Sequence, residues 1–178
     1  MPPAPVKEPQ AADAIGAAGL EAWRNFVVAN SRLMRELDEE LRSRHGFALG
    51  DYDVLIHLSR APEARLRMCD LAAEVLLSPS GLSRRVERLE RAGFVKRQRA
   101  SSDGRSIEAT LTASGKRLFG RLRETHLRGV KERFADRFSA REIERLRDLL
   151  ARLERQEPTV PAPPTAPDSS PSSSSSSA

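Results

Sequence analysis

The sequence contains one cysteine, Cys69, and few aromatics: one tryptophan, one tyrosine and six phenylalanines in 178 residues. A single thiol cannot close an internal disulfide and supplies too few thiolates for a zinc cage, so a reducing compartment suits the chain. Sparse aromatics argue against a stacking platform for single-stranded nucleic acid. No stretch approaches the ~18 apolar residues of a membrane span. The start, Met1 to Gly19, has no apolar run behind a basic cluster and does not read as a secretory signal. The expectation is a soluble, cytoplasmic protein without membrane contact. The three histidines, His45, His57 and His126, are scattered, and no pair has metal-ligand spacing. No Gly-rich phosphate loop or nucleophile motif stands out. Neither enzyme chemistry nor a metal or other cofactor is expected.

Charge is present in quantity and unevenly placed. Lys and Arg number 30 against 25 Asp and Glu, a net +5. From Arg84 to Arg105 there are eight basic residues and only three acids, so this one stretch carries an excess equal to that of the whole chain. Local concentration of this kind is the electrostatic footprint of phosphate binding, where a modest net charge alone is not.

The ends differ from the middle. Residues 1–12 read as a flexible segment, and residues 157–178, Pro- and then Ser-rich, as a disordered tail with little to bury. Residues 13–156 form the expected domain, mainly α with a small β-hairpin. The periodicity predicts six helices. The first spans about Leu20 to Arg44, with Leu20, Trp23, Val27, Met34, Leu37 and Leu41 on one side; the second spans about Gly50 to Arg60. A third runs from Cys69 to Leu77, where Cys69 reads as a small buried residue rather than a reactive thiol. Ser78 then caps a fourth helix that opens with Pro79 and stops at Gly93. Two extended runs, Phe94 to Arg99 and Ser106 to Leu111, flank the turn Ser101-Ser102-Asp103-Gly104. Thr112 caps a fifth helix to about Asp136, and the capping box Ser139-x-x-Glu142 opens a sixth to about Arg155.

Helix, short turn, helix and hairpin, in that order, make the winged helix-turn-helix. Leu82, Val86 and Leu89 recur at helical spacing and hold the fourth helix to the core. Ser80, Ser83, Arg84, Glu87, Arg88 and Arg91 are left on its other faces. The N-terminal part of such a helix enters the major groove. There Arg84 suits a bidentate contact to guanine, and Ser80 or Ser83 a bond to base or phosphate. Arg105, just past the turn, suits an adjacent minor groove, with Asp103 two residues away to orient it. The alternative is an ordinary solvated face with internal ion pairs such as Glu87 with Arg91.

The run from Leu71 to Gly115 resembles the MarR family of bacterial regulators, most specifically in Asp103-x-Arg105, Leu111-Thr112 and Gly115, and in Leu89-Glu90-x-x-Gly93-Phe94-Val95. The resemblance implies a homodimer formed through the terminal helices, binding double-stranded DNA at a palindromic operator with half-sites ~34 Å apart. It implies a repressor released by a small ligand. The family's contacts carry over to Ser80, Ser83, Arg84 and Arg88 on the fourth helix and to Arg105, supported by Asp103, in the wing. The apolar first, fifth and sixth helices also call for a partner surface in their own right. A winged-helix module that binds protein or nucleic acid without operator specificity is the rival reading.

Relatives usually carry an apolar residue where this chain has Arg85. An arginine at a core edge is costly unless paired, and Asp53 on the second helix is the expected partner. The pattern is similar to the urate-responsive branch of the family. That similarity implies a ligand site of Trp23, Asp53, Arg85 and Arg97 for urate or another anionic aromatic. A structural Arg85–Asp53 pair, with Trp23 in the dimer core, is the alternative.

Overall fold

The computed structural model describes residues 11–75, 78–99 and 106–154. These fall into two compact units, one up to Arg137 and one from Phe138. In the first unit, α1 (Ala11–His45) and α2 (Leu49–Arg60) precede β1 (Arg65–Arg67), α3 (Met68–Glu74), α4 (Pro79–Arg91), β2 (Val95–Arg99), β3 (Ile107–Leu111) and α5 (Ala113–Arg133). The second unit contains α6 (Ala140–Glu154). Its opening is the expected capping box: the Ser139 backbone N–H donates to Glu142 Oε2 at 2.8 Å, and the Glu142 N–H to Ser139 Oγ at 3.4 Å.

The core explains the element order. Leu55 and Leu58 of α2, Leu71 of α3, Leu82, Val86 and Leu89 of α4, Val95 and Ala109 of the sheet, and Leu118 and Leu122 of α5 are all buried in one cluster. Each fully buried leucine contributes about 1.5–3 kcal/mol relative to exposure. The two short helices and the sheet therefore share one anchor, and α4 is fixed by its inner stripe while its outer face stays free for other work. Leu37 and Leu41 bury the C-terminal half of α1, which an Arg133–Glu40 ion pair at 2.8 Å ties to α5.

Local signals set the ends of α4. Ser78 Oγ accepts from the Gly81 N–H at 3.2 Å, Pro79 occupies the first turn, and Gly93 turns the chain out at φ 74°. A second glycine is required by proximity. A Cβ on Gly115 would lie 2.0 Å from the Phe94 carbonyl oxygen, so the first turn of α5 can approach the root of the wing only without a side chain. Thr112 completes this joint: its N–H donates to the Phe94 carbonyl at 3.0 Å, and its hydroxyl accepts from the Gly115 N–H at 3.0 Å.

Four expectations change. The hairpin is part of a three-stranded antiparallel sheet, ordered β1-β3-β2, because Arg65–Arg67 pairs with Glu108–Thr110. A three-residue strand carries too little alternation to be read from sequence. The helical path of α1 begins at Ala11, nine residues before Leu20, although Gly16 at φ 73° interrupts it. The third helix ends at Glu74 rather than Leu77; residues 76–77 lie outside the described chain. Cys69 is exposed, not buried, because Leu71 and not Cys69 fills the core from this short helix.

Candidate nucleic-acid interface

α4 presents two chemically distinct sides. Leu82, Val86 and Leu89 are buried, whereas Ser80, Ser83, Arg84, Glu87, Arg88 and Arg91 are all exposed. Arg84 is exposed and makes no ion pair or side-chain hydrogen bond among the described residues, so none of them takes up its five N–H donors. Arg91 approaches Glu87 only to 3.9 Å, a weak surface pair. The wing strands meet in register from Val95–Leu111 to Arg99–Ile107. Asp103 and Arg105, between these strands in sequence, lie outside the described residues.

Arg85 has a different anchor from the one the sequence suggested, and shares it with Arg88. Asp51, in the first turn of α2 and fully buried, accepts a hydrogen bond from Arg88 and a longer one, 3.4 Å, from Arg85. Its second oxygen accepts from the Ala48 N–H at 2.8 Å, closing the N-terminus of α2. The expected Arg85–Asp53 pair is therefore corrected to Arg85–Asp51. Positions 51 and 53 lie ~200° apart on a helix, so only one of them can face α4. Asp53 instead lies 3.5 Å from His57, which also approaches Glu74 of α3 at 3.7 Å. Gly50 makes room for the Arg85 guanidinium: a Cβ there would sit 2.7 Å from its Cζ.

Asp38 repeats this arrangement from α1. One oxygen accepts from the Leu49 N–H at 2.7 Å and the other from Arg42 Nε at 2.6 Å. Burial opposes its ionisation, but these two donors outweigh the burial and hold the carboxyl below its usual range.

A cavity of about 790 Å³ opens between α1, α2 and α5, with Arg85 at its edge. It is lined by Met34, Asp38, Tyr52, Asp53, Ile56, His57, Arg60 and His126 among others. The rings of Tyr52 and His126 pack together with centroids 4.5 Å apart and planes tilted by 32°. Burial lowers the pKa of His126, and its Nδ1 is buried without a hydrogen-bond partner among the described residues. Of the four residues expected at a ligand site, the structure brings Asp53 and Arg85 together and places the other two elsewhere. Trp23, 64% exposed, lies eleven residues before Met34, ~16 Å up α1. Arg97 is held by Glu90, through its backbone N–H at 2.9 Å and its Nε at 2.6 Å, which joins β2 to the end of α4. The backbone bond is the main reason the Glu90 carboxyl sits below its usual range; burial opposes it and the guanidinium adds to it. Asp51 was not singled out in the sequence; Tyr52 was read only on one side of the second helix with Leu55 and Leu58, and His126 only as one of three scattered histidines. Only the Ala48-x-x-Asp51 spacing offered a signal, and the contact of Tyr52 with His126 spans 74 positions.

Comparison with known proteins places this geometry. The MarR family model matches residues 45–106. The HTH-type transcriptional regulator PecS of Dickeya dadantii is 32% identical over 123 residues, covering 68% of this chain and 72% of that protein. The HTH-type transcriptional repressor Rv2887 of Mycobacterium tuberculosis is 32% identical over 108 residues, 61% of this chain and 76% of that protein. Among solved structures, a MarR family transcriptional regulator from Streptomyces coelicolor in complex with DNA superposes with a TM-score of 0.75 at 30% identity, covering 84% of this chain and 91% of that one.

Proposed function

The chain belongs to the MarR family, and from that membership and the geometry of α4 we propose that it is a homodimeric repressor that reads a palindromic operator and leaves it when a small anionic aromatic ligand binds. It is a helix-turn-helix DNA-binding transcription regulator, not an enzyme. No helix among the described residues is long and apolar enough to cross a membrane.

One observation carries the operator reading: α4 is locked by a fully buried inner stripe and shows an exposed Arg84, unpaired among the described residues, beside Ser80 and Ser83 on its outer face. An exposed guanidinium suits the O6 and N7 of guanine. In this reading Arg88, half-exposed and steadied by Asp51, reaches DNA from the same helix, and Arg105 with Asp103 serves the adjacent minor groove. The dimer reading rests on α1. Leu20, Trp23, Phe26, Val27 and Met34 are exposed on the same side of the helix as buried Leu37 and Leu41. A stripe this apolar favours burial by about 25 cal/mol per Å². We assign it, with α5 and α6, to a second copy of the chain, which gives Trp23 a place at the dimer seam.

The ligand reading rests on the cavity. Its size suits a small planar molecule, and the Tyr52–His126 pair offers it an aromatic wall. An anion such as urate or a xanthine drawn to Arg85 competes with Asp51 for that guanidinium and so loosens the tie between α2 and α4. The ligand shifts the equilibrium only by its difference in affinity for the two positions of α4. The test is a shift assay on the upstream intergenic DNA, across salt and with urate or xanthine added. A steep salt slope with sequence preference supports the regulator, and binding without preference supports the nonspecific alternative. Unchanged affinity at saturating ligand removes the effector proposal and leaves the DNA reading standing.

A further inference from the structure

We propose that the concavity between the end of α1 and the outer flank of α4 is a seat for one backbone phosphate of bound DNA, and that Arg42 of α1 is one of its cations. The inference rests on the reading of this chain as a DNA-binding regulator and adds to it a contact outside the helix-turn-helix.

The concavity measures about 500 Å³ and is lined by Arg42, Gly81, Arg84, Arg85, Arg88 and Arg91, with Glu87 as its one acid. Five guanidinium groups from two separate elements are unfavourable together unless something holds them. Two carboxylates do so from behind. Asp38 takes Arg42 Nε with one oxygen and the Leu49 N–H with the other. Asp51 takes Arg88 and Arg85 with one oxygen and the Ala48 N–H with the other. Each acid thus ties an arginine to the start of α2, and α2 sets the spacing between Arg42 and Arg88.

The geometry leaves donors facing outward. Arg42 spends its Nε on Asp38, and its Nη groups bond to nothing among the described residues; the side chain is 56% exposed. Arg88 spends one Nη group on Asp51 and is 48% exposed. Arg84 spends none on the described residues. The forks of Arg42 and Arg88, each oriented by its aspartate and lining one hollow, suit a tetrahedral oxyanion, which accepts several N–H bonds at once. The α2 amides Ala48 and Leu49 are already taken by the two aspartates, so the arginines and not the helix terminus supply the binding. A duplex that admits α4 to its major groove carries a sugar-phosphate strand along each edge of that groove. Arg42 stands on α1, beside α4 rather than on it, and lines the same hollow as Arg88; a cation so placed suits the edge of a groove that α4 enters, which favours a DNA phosphodiester over a free anion.

The test is the salt dependence of DNA binding by the full chain. Wild type, Arg42→Gln and Arg42→Lys are titrated onto the upstream DNA and onto an unrelated duplex of equal length. Each neutralised phosphate contributes about 0.9 to the slope of log Kobs against log salt. Arg42→Gln is expected to reduce the slope by about 0.9 for each protomer engaged, equally on both duplexes, and Arg42→Lys to restore it. An unchanged slope in Arg42→Gln overturns the seat. So does a reduced slope that Arg42→Lys does not rescue, because the loss is then structural. Inorganic phosphate is tested separately by thermal shift: stabilisation lost in Arg42→Gln without any change in slope identifies a free-anion site and overturns the DNA assignment. A wild type that binds neither duplex defeats the regulator reading itself, an outcome distinct from the failure of Arg42 alone.

Discussion

Asp51→Ala is expected to destabilise the protein by about 3 kcal/mol, and the structure says where this comes from. The carboxylate is fully buried and joins three partners: the Ala48 N–H at 2.8 Å, Arg88, and Arg85 at 3.4 Å. Losing the helix cap costs about 1 kcal/mol. Losing the charged bond to Arg88 costs about 1.5–3 kcal/mol. The long Arg85 contact adds less. Breaking a fully buried pair can cost about 3–5 kcal/mol, but that is a ceiling here, because Arg85 and Arg88 remain 28% and 48% exposed and turn to water. Asp51→Asn keeps one acceptor for the Ala48 N–H but turns an NH2 toward the two guanidinium groups, so the cap survives, the arginine bonds are lost, and about 1.5–3 kcal/mol is expected. Urea denaturation at fixed protein concentration measures both, since a dimer's apparent stability depends on concentration. A loss below 1 kcal/mol in Asp51→Ala refutes the reasoning. Equal losses in the two variants would show that the charge accounts for the whole effect and that neither the cap acceptor nor side-chain volume adds to it.

Other expectations follow from the same contacts. Gly115→Ala forces a Cβ within 2.0 Å of the Phe94 carbonyl oxygen, which backbone cannot avoid without moving; thermal melting is expected to show a loss of at least about 1–3 kcal/mol, and an unchanged melting temperature contradicts the close approach. Ser78→Ala removes the α4 cap and should cost about 1 kcal/mol by the same assay, with Ser78→Asn close to wild type. The pKa of His126 is lowered by burial, so the folded state binds its proton later than the unfolded state does. The stability it supports is present above pH ~6.5 and falls as pH drops through the folded value. A stability-versus-pH profile should show that loss, and His126→Phe, which keeps the ring contact with Tyr52, should flatten it. The carboxyls of Asp38 and Glu90 are lowered, so their contribution is present above pH ~4 and lost in more acidic solution; acid unfolding of Asp38→Asn should begin from a less stable protein and vary less with pH.

The recognition helix was legible in sequence because every signal for it is local. Ser78-Pro79 begins it, Gly93 ends it, and the Leu82–Val86–Leu89 stripe divides its faces within four turns. The phrase Leu111-Thr112 to Gly115 was visible as a motif, and its reason, the contact of α5 with the Phe94 carbonyl, only in three dimensions. The partner of Arg85 was not legible. Asp51 and Asp53 are both acidic and both on α2, and which one faces α4 depends on how that helix is rotated in the core. Cys69 was misplaced for a similar reason: in a seven-residue helix one apolar position, Leu71, settles the inner face, and the cysteine two residues earlier falls outside it. The cavity joins residues from α1, α2 and α5 that no sequence spacing relates, so Tyr52 and His126 emerged with the fold.

The central claim is that the outer face of α4 reads sequence, and Arg84 tests it most directly. Fluorescence anisotropy at physiological salt would compare wild type and Arg84→Ala on the upstream DNA and on an unrelated duplex. Wild type should prefer the upstream DNA by about 10³-fold or more. Arg84→Ala should lose about 1–3 kcal/mol there for each guanine contact removed, while its binding to unrelated DNA weakens far less. A wild type without preference, or an Arg84→Ala variant that weakens on both duplexes alike, would contradict the assignment of α4 as the helix that specifies the operator.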